Sequence, residues 1–159
     1  MTEHHEQAPV DDPRIQAVGV LLHTSALLER LLGAAIQQAA GISHSMFEVL
    51  LILSAHPQGA PISRLSGRLV LTSGGATRLV DRMVEAGLVV REPSPEDRRV
   101  QLVFLTEQGE RTLRTAAAAH TRETDRLLRR TLAPEQSAAM VTALDLLGRR
   151  LREELPPLR

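Results

Sequence analysis

Apolar and polar positions follow a helical period along most of this chain, and the period is broken at a few turns rich in Pro, Gly and charge. Over residues 13–40 the apolar positions cover more than one face, which predicts a long helix buried on two sides. Residues 73–86 and 134–155 each carry one apolar stripe at the spacing i, i+3, i+4, i+7. The pattern therefore predicts a mainly α-helical protein.

Capping residues predict where the helices begin and end. Side chains that accept hydrogen bonds precede apolar runs, Pro stands at first turns and Gly follows last turns. In chain order these residues are Pro13, Gly41, Ser43, Ser63, Thr72, Gly87, Thr106 and Pro134. They delimit six helices, over about 13–40, 43–55, 64–69, 73–86, 106–130 and 134–155. In the second helix the predicted inward positions are Phe47, Leu50, Leu51 and Ser54.

A β-hairpin is predicted between the fourth and fifth helices. Residues 88–92 and 100–105 are rich in β-formers, and the sequence PSPEDRR separates them. Residues 60–62 are long enough for a single β-bridge. Two short helices followed by a hairpin with a charged tip are the layout of a winged helix-turn-helix. That layout places the second helix in a DNA major groove with the hairpin beside it.

Composition narrows the classes of function. A length of 159 residues suits one domain with helical extensions, and aromatic residues make up only 1% of the chain. A stacking platform for single-stranded nucleic acid needs exposed rings and is therefore excluded. The absence of Cys excludes disulfides and thiolate metal sites. The net charge is zero, so any DNA footprint depends on where the cations lie.

Charge and apolar content divide the chain into regions. Residues 1–12 are acidic and carry no Arg or Lys, which predicts a disordered or loosely docked tail. Residues 41–105 form the predicted winged helix-turn-helix lobe. Residues 13–40 and 106–155 are helical and carry more apolar surface than such a lobe needs. We expect them to build a homodimer; packing within one chain is the alternative.

Candidate DNA contacts lie on the third helix, on the fourth helix and at the hairpin tip. A recognition helix needs small or hydrogen-bonding side chains where it enters the groove, and Arg can form a fork on guanine or phosphate. The candidates are Arg64, Thr72, Ser73, Gly74, Thr77, Arg78, Arg82, Asp97, Arg98 and Arg99. Asp97 can hold the turn or pair with an Arg. Gly74 followed by Gly75 allows either a close approach to DNA or a frayed first turn.

Two motifs resemble the MarR family of bacterial transcription regulators. One is Asp97-x-Arg99 followed by LVFLT and Gly109, which is similar to the wing of that family and the start of its fifth helix. The other is TRLVDRM followed by GLV and Arg91, which is similar to its recognition helix and first wing strand. The resemblance spans about residues 13–155. It implies a homodimer with two DNA-binding lobes on a pseudo-palindromic operator, Arg78 in the major groove and Arg99 in the minor groove or on its phosphates.

The same resemblance implies a small anionic or phenolic effector between the dimerisation helices and the lobe. Candidate contacts are Arg14, His23, His44 and Met46, although a structural role is the favoured interpretation of His23. A zinc-sensing subgroup would need a cluster such as His44, Glu48, His120 and Glu123, and we predict no metal and no cofactor. Peroxide sensing by a thiol is excluded because the chain has no Cys.

The sequence favours a DNA-binding regulator, most simply a repressor, over an enzyme. No nucleophile–base pair, phosphate-binding Gly loop or metal motif is present. No signal peptide or uninterrupted run of about 18 apolar residues is present either, so we expect a cytoplasmic protein without a membrane partner. The alternative is a winged helix that binds an acidic protein instead of DNA. A steep loss of binding with salt would favour DNA.

Overall fold

Residues 12–156 of the computed structural model form six helices and three short strands, which confirms the mainly α fold with a winged helix-turn-helix. The predicted acidic tail, apart from Asp12, lies outside these described residues. The elements in chain order are α1 (Pro13–Ala40), α2 (His44–Ser54), β1 (Ala60–Pro61), α3 (Ile62–Leu69), α4 (Ser73–Glu85), β2 (Val89–Pro93), β3 (Gln101–Leu105), α5 (Glu107–Thr131) and α6 (Pro134–Glu154).

Side-chain caps fix most of the helix starts. Ser43 accepts a hydrogen bond from the backbone of its helix, as do Thr72 and Thr106. Asp12 caps α1 in the same way, so the last residue of the predicted tail is part of the helix boundary. Satisfying these otherwise unpaired N–H groups stabilises each helix by about 1 kcal/mol.

The predicted cap at Ser63 is wrong. Helix α3 begins at Ile62, and its N-cap is Pro61, which makes no side-chain hydrogen bond to the helix. The reason is β1, which holds Pro61 in extended backbone and so brings the chain into α3 two residues earlier than predicted. Ser63 lies inside the first turn, where its carbonyl accepts a hydrogen bond from the Ser66 hydroxyl at 3.0 Å.

The three strands form an antiparallel sheet in the order β1-β3-β2. The hairpin pairs Val89 with Leu105, and β1 pairs Ala60 with Val103 on the other edge of β3. The predicted bridge at residues 60–62 is therefore a third strand. It ties the start of the helix-turn-helix to the base of the wing.

The hydrophobic core is formed by α2, α3, α4 and the sheet, with Ile36 of α1 and Ala116 of α5 packed into it. Its largest fully buried side chains are Ile36, Leu50, Leu65, Met83, Val49, Val80, Val89 and Val103. Within α2 the inward prediction holds for Phe47 and Leu50, but it is wrong for Leu51, which is 51% exposed, and for Ser54, which is also exposed. Val49 and Leu53 are buried in their place, because α2 packs against both α5 and the sheet.

The two terminal helices present apolar surface that the described chain leaves uncovered. Helix α1 packs along α5, yet only Leu32 and Ile36 of α1 are buried. Helix α6 has no buried residue and scarcely contacts the rest of residues 12–156. Among the described helices, α1 alone is long and apolar enough to cross a membrane. The core helix of a soluble protein can meet the same criteria of length and composition.

A tight joint connects the lobe to α5. The Thr106 hydroxyl donates to the carbonyl of Gly87 at 2.7 Å and lies 3.1 Å from that of Leu88. The Gln108 side chain donates to the carbonyl of Ala86 at 3.2 Å. The end of α4, the start of β2 and the first turn of α5 therefore share one hydrogen-bonded junction.

Gly109 makes this junction possible, and its replacement by Ala is expected to destabilise the fold. A Cβ at this position would lie 2.1 Å from the carbonyl oxygen of Leu88, so backbone must move. We expect a decrease of about 1–3 kcal/mol in the free energy of unfolding, measured by denaturant titration. Gly67→Ala is the matched control, because a Cβ there meets nothing within 4 Å. Equal stability of the two variants would contradict the prediction.

Candidate nucleic-acid interface

Helix α4 has one face in the core and one open face. Ala76, Leu79, Val80 and Met83 are buried. Ser73, Gly74, Arg78 and Arg82 are exposed on the other side, and Thr77 is half-buried with its hydroxyl donating to the Ser73 carbonyl at 2.9 Å. The open face thus combines small residues at its N-terminal end with two Arg side chains further along.

The first turn of α4 is closed by its cap. The Thr72 hydroxyl accepts from the backbone N–H of Gly75 at 3.1 Å, and its carbonyl accepts from Ala76 at 3.0 Å. A Cβ at Gly74 would approach only the Arg78 guanidinium, at 3.9 Å. The helix is therefore formed from its first turn, with Gly74 open to solvent and Gly75 half-buried against the Thr72 cap.

The wing tip is a turn built around Asp97. Its carboxylate accepts from the backbone N–H of Arg99 at 3.0 Å, and its carbonyl accepts from Val100 at 2.9 Å. Asp97 therefore holds the turn through backbone contacts. The side chains of Arg98 and Arg99 are exposed at the tip.

Arg64 on α3 is held by a histidine that the sequence did not single out. His56 Nδ1 lies 2.7 Å from the carbonyl of Ile52, and its Nε2 lies 3.1 Å from the Arg64 guanidinium. Since a guanidinium only donates, Nε2 accepts and Nδ1–H donates to the carbonyl. His56 is itself fixed to the end of α2, so it orients the exposed Arg64 side chain.

The Arg side chains of the lobe differ from those of the terminal helices in how many of them form ion pairs. Within residues 12–156, no ion pair is formed by Arg64, Arg68, Arg78, Arg82, Arg98 or Arg99. In α5 and α6 most Arg side chains face an acid one turn away, as in the 2.8 Å pair of Arg126 with Glu123. Six Arg side chains of the lobe therefore have no acid partner among residues 12–156, although the net charge of the whole chain is zero.

Asp81 and Arg91 were missed as site residues by reasoning from the sequence. Arg91 on β2 forms a 2.7 Å ion pair with Asp81 on α4, and it donates to the Thr77 carbonyl at 3.3 Å. The pair links the wing to the recognition helix. The signal in the sequence was weak, because nothing local relates a helix position to a strand position ten residues later.

Known proteins with this arrangement are DNA-binding regulators. The model of the MarR family matches residues 40–100, which cover the lobe up to the start of β3. The HTH-type transcriptional regulator MhqR of Bacillus subtilis is 30% identical over 104 residues, which cover 65% of this chain and 70% of that protein. This chain belongs to the MarR family. It is a DNA-binding transcription regulator and not an enzyme, so the protein-binding alternative is not retained.

Solved structures of regulators and ligand-binding proteins share the fold over most of its length. Sco3205 of Streptomyces coelicolor, determined in complex with DNA, matches with a TM-score of 0.78 and 25% identity over 86% of each chain. CouR of Rhodococcus jostii RHA1, determined with p-coumaroyl-CoA bound, matches with a TM-score of 0.73 and 25% identity. That match covers 89% of this chain and 94% of CouR.

The predicted effector contacts of this MarR-family chain are not gathered in one place. Arg14 is exposed and pairs with Asp12, and His23 is exposed on α1. His44 and Met46 are half-buried on α2. None of the four lines the cavity of about 350 Å³ between the end of α2, β3 and the start of α5.

His44 does take part in a cluster of rings between α2 and α5. His120 lies over Phe47 with ring centroids 5.3 Å apart and over His44 at 6.2 Å. Residues 12–156 contain no group of three or more His, Asp or Glu side chains placed to hold a metal ion. The arrangement is a packed aromatic contact that fixes α5 against the lobe.

The His cluster predicts that acid weakens the fold. Burial, and then the charge of His44, lower the pKa of His120 from its usual 6.5. The unfolded chain therefore takes up this proton more readily, and stability falls as pH drops below about 6.5. We expect a lower denaturation midpoint at pH 5.5 than at pH 7.5, with a smaller difference in His120→Gln. An unchanged pH dependence in that variant, beside His23→Gln as control, would contradict the prediction.

Proposed function

We propose that this chain is a homodimeric repressor that binds a pseudo-palindromic operator and releases it when a small effector binds. The observation that carries the proposal is the set of exposed Arg side chains on α4 and the wing tip that form no ion pair within residues 12–156. Binding of DNA by Sco3205, which has the same fold, supports it.

A second copy of the chain is the partner that covers α1 and α6. Met140, Leu144, Leu147 and Leu151 form one stripe on α6 and are 38–45% exposed in the single chain. Most of the stability of a helix in a protein comes from packing of its apolar face, so a helix with so few contacts needs a partner. Exposed apolar residues in the N-terminal half of α1 supply a matching surface.

The lobe residues divide into those that read bases and those that fix the protein on the phosphates. Arg78 reaches base edges in the major groove, with Ser73 and Thr77 near the entry of the helix. Arg99 reaches the minor groove or its phosphates. Arg64, Arg82 and Arg98 contact phosphates, the N-terminal backbone at Thr72 and Gly74 meets a phosphate, and Asp97 holds the wing turn.

An effector regulates the dimer by favouring another spacing of its lobes. Binding of p-coumaroyl-CoA by CouR supports a small anionic or phenolic ligand. We propose Arg14, His23, His44 and Met46 as its contacts, and because they are not gathered in the single chain, the site would form only where a second copy packs against it. A ligand that fits only the second spacing releases DNA by shifting the population between the two states. The proposed function needs no cofactor. Because the operator DNA lies in the cytoplasm, we expect the protein there.

Selection of bound fragments from a random DNA pool tests the proposal. We expect a palindromic winner whose half-sites lie about 34 Å apart, one turn of DNA. The affinity for it should fall with salt by a slope of about −0.9 per phosphate contact. A folded, dimeric protein that enriches no sequence, or a winner without two-fold symmetry, would overturn the operator model.

A further inference from the structure

The DNA-facing surface of α4 contains an acid where a phosphate-binding surface should avoid one. Asp81 lies in the same open cleft as Gly75, Arg78 and Arg82. Its side chain is 47% exposed. A free carboxylate there would repel phosphates and would also attract Arg78, because residues three apart share a face of a helix.

Arg91, which lies on the neighbouring strand β2, counters both the repulsion of phosphates and the attraction of Arg78. Its guanidinium meets one carboxylate oxygen of Asp81 at 2.7 Å and the carbonyl of Thr77 at 3.3 Å. The Nε atom of Arg91 is buried and has no partner among the described residues, so the side chain lies against the lobe and not out in solvent. Arg78 is in no ion pair within residues 12–156.

We propose that Arg91 is a positioning residue for DNA binding, which shields the charge of Asp81 and thereby leaves Arg78 free to contact DNA. The inference rests on the DNA face proposed above and adds a residue that itself touches no base. It also explains how an acid is tolerated between two Arg residues of the recognition helix. The wing thus supports the contact of Arg78 with the major groove, in addition to the contact that its own tip makes with DNA.

Removal of Asp81 should therefore repair the effect of replacing Arg91. We expect Arg91→Ala to weaken operator binding about tenfold at low salt, because two unshielded carboxylates then face the DNA in each dimer. The double variant Asp81→Asn with Arg91→Ala should recover to within about threefold of wild type. Arg91→Lys, which keeps the charge, should bind nearly as well as wild type.

The dependence on salt separates shielding from a packing defect. The deficit of Arg91→Ala should shrink as salt rises, because the repulsion is screened, whereas a distorted helix binds more weakly at every salt concentration. A double variant as weak as Arg91→Ala, or an Arg91→Ala variant equal to wild type, would overturn the proposal. Arg78→Ala in the same assay tests the DNA face itself, so the two failures are distinguishable.

Discussion

Replacement of Arg78 by Ala is expected to cost about 2–6 kcal/mol of operator binding, since each bidentate contact to guanine contributes about 1–3 kcal/mol and a dimer has two copies. The reason is geometric: Arg78 extends from the open face of α4 and has no ion pair among residues 12–156 to hold it back. Base preference should also relax at one position in each half-site.

A comparison of variants on the selected operator and on single-base changes of it would measure both effects. Arg99→Ala should weaken binding to all sequences alike and reduce the salt slope by about one for each phosphate that the side chain no longer neutralises. Arg122→Ala is the control, because Arg122 is exposed on α5, away from the lobe. If Arg78→Ala and Arg99→Ala bind like the control, the assignment of the DNA face is wrong.

A charge placed in the α6 stripe is expected to separate the dimer. Leu144→Glu with Leu151→Glu puts two carboxylates on the surface that we propose to be buried between copies. Each lobe would then bind its half-site alone, which lowers the apparent affinity by about 10²–10⁴-fold. Sedimentation would report the assembly state, and a titration of operator DNA the affinity.

Thr142→Glu is the matched control for this experiment. Thr142 is exposed on the opposite side of α6, where its hydroxyl donates to the carbonyl of Ala138 at 3.0 Å. The control should remain dimeric with nearly unchanged DNA binding. A double Leu variant that also remains dimeric would contradict the assignment of α6 to the interface.

Local signals account for what the sequence predicted well. A hydroxyl or carboxylate before an apolar run caps a helix through atoms within three residues of it, so Ser43, Thr72 and Thr106 could be assigned from the sequence alone. The apolar stripes of α4 and α6 and the Pro and Asp of the wing turn are equally local. These signals define the helix-turn-helix, the hairpin and most of the proposed DNA face.

Contacts between elements account for what was missed. Ser63 looks like a cap until β1 is seen to pair with β3, and Leu51 looks buried until both neighbours of α2 are in place. The links of Asp81 with Arg91 and of His56 with Arg64 join separate elements. No periodicity within one segment encodes such pairs, so they emerge only from the folded arrangement.

The hydrogen-bonded junction at Thr106 and Gly109 has a mechanical consequence. Because the end of α4 is bonded to the first turn of α5, the recognition helix cannot turn without α5. Helix α5 has 25 residues and is about 37 Å long. A tilt of about 5° at its far end therefore moves the lobe by about 3 Å, which is comparable to the rise of one base pair. A small change in the tilt of α5, made far from the DNA, thus moves the recognition helix far enough that it no longer fits the major groove.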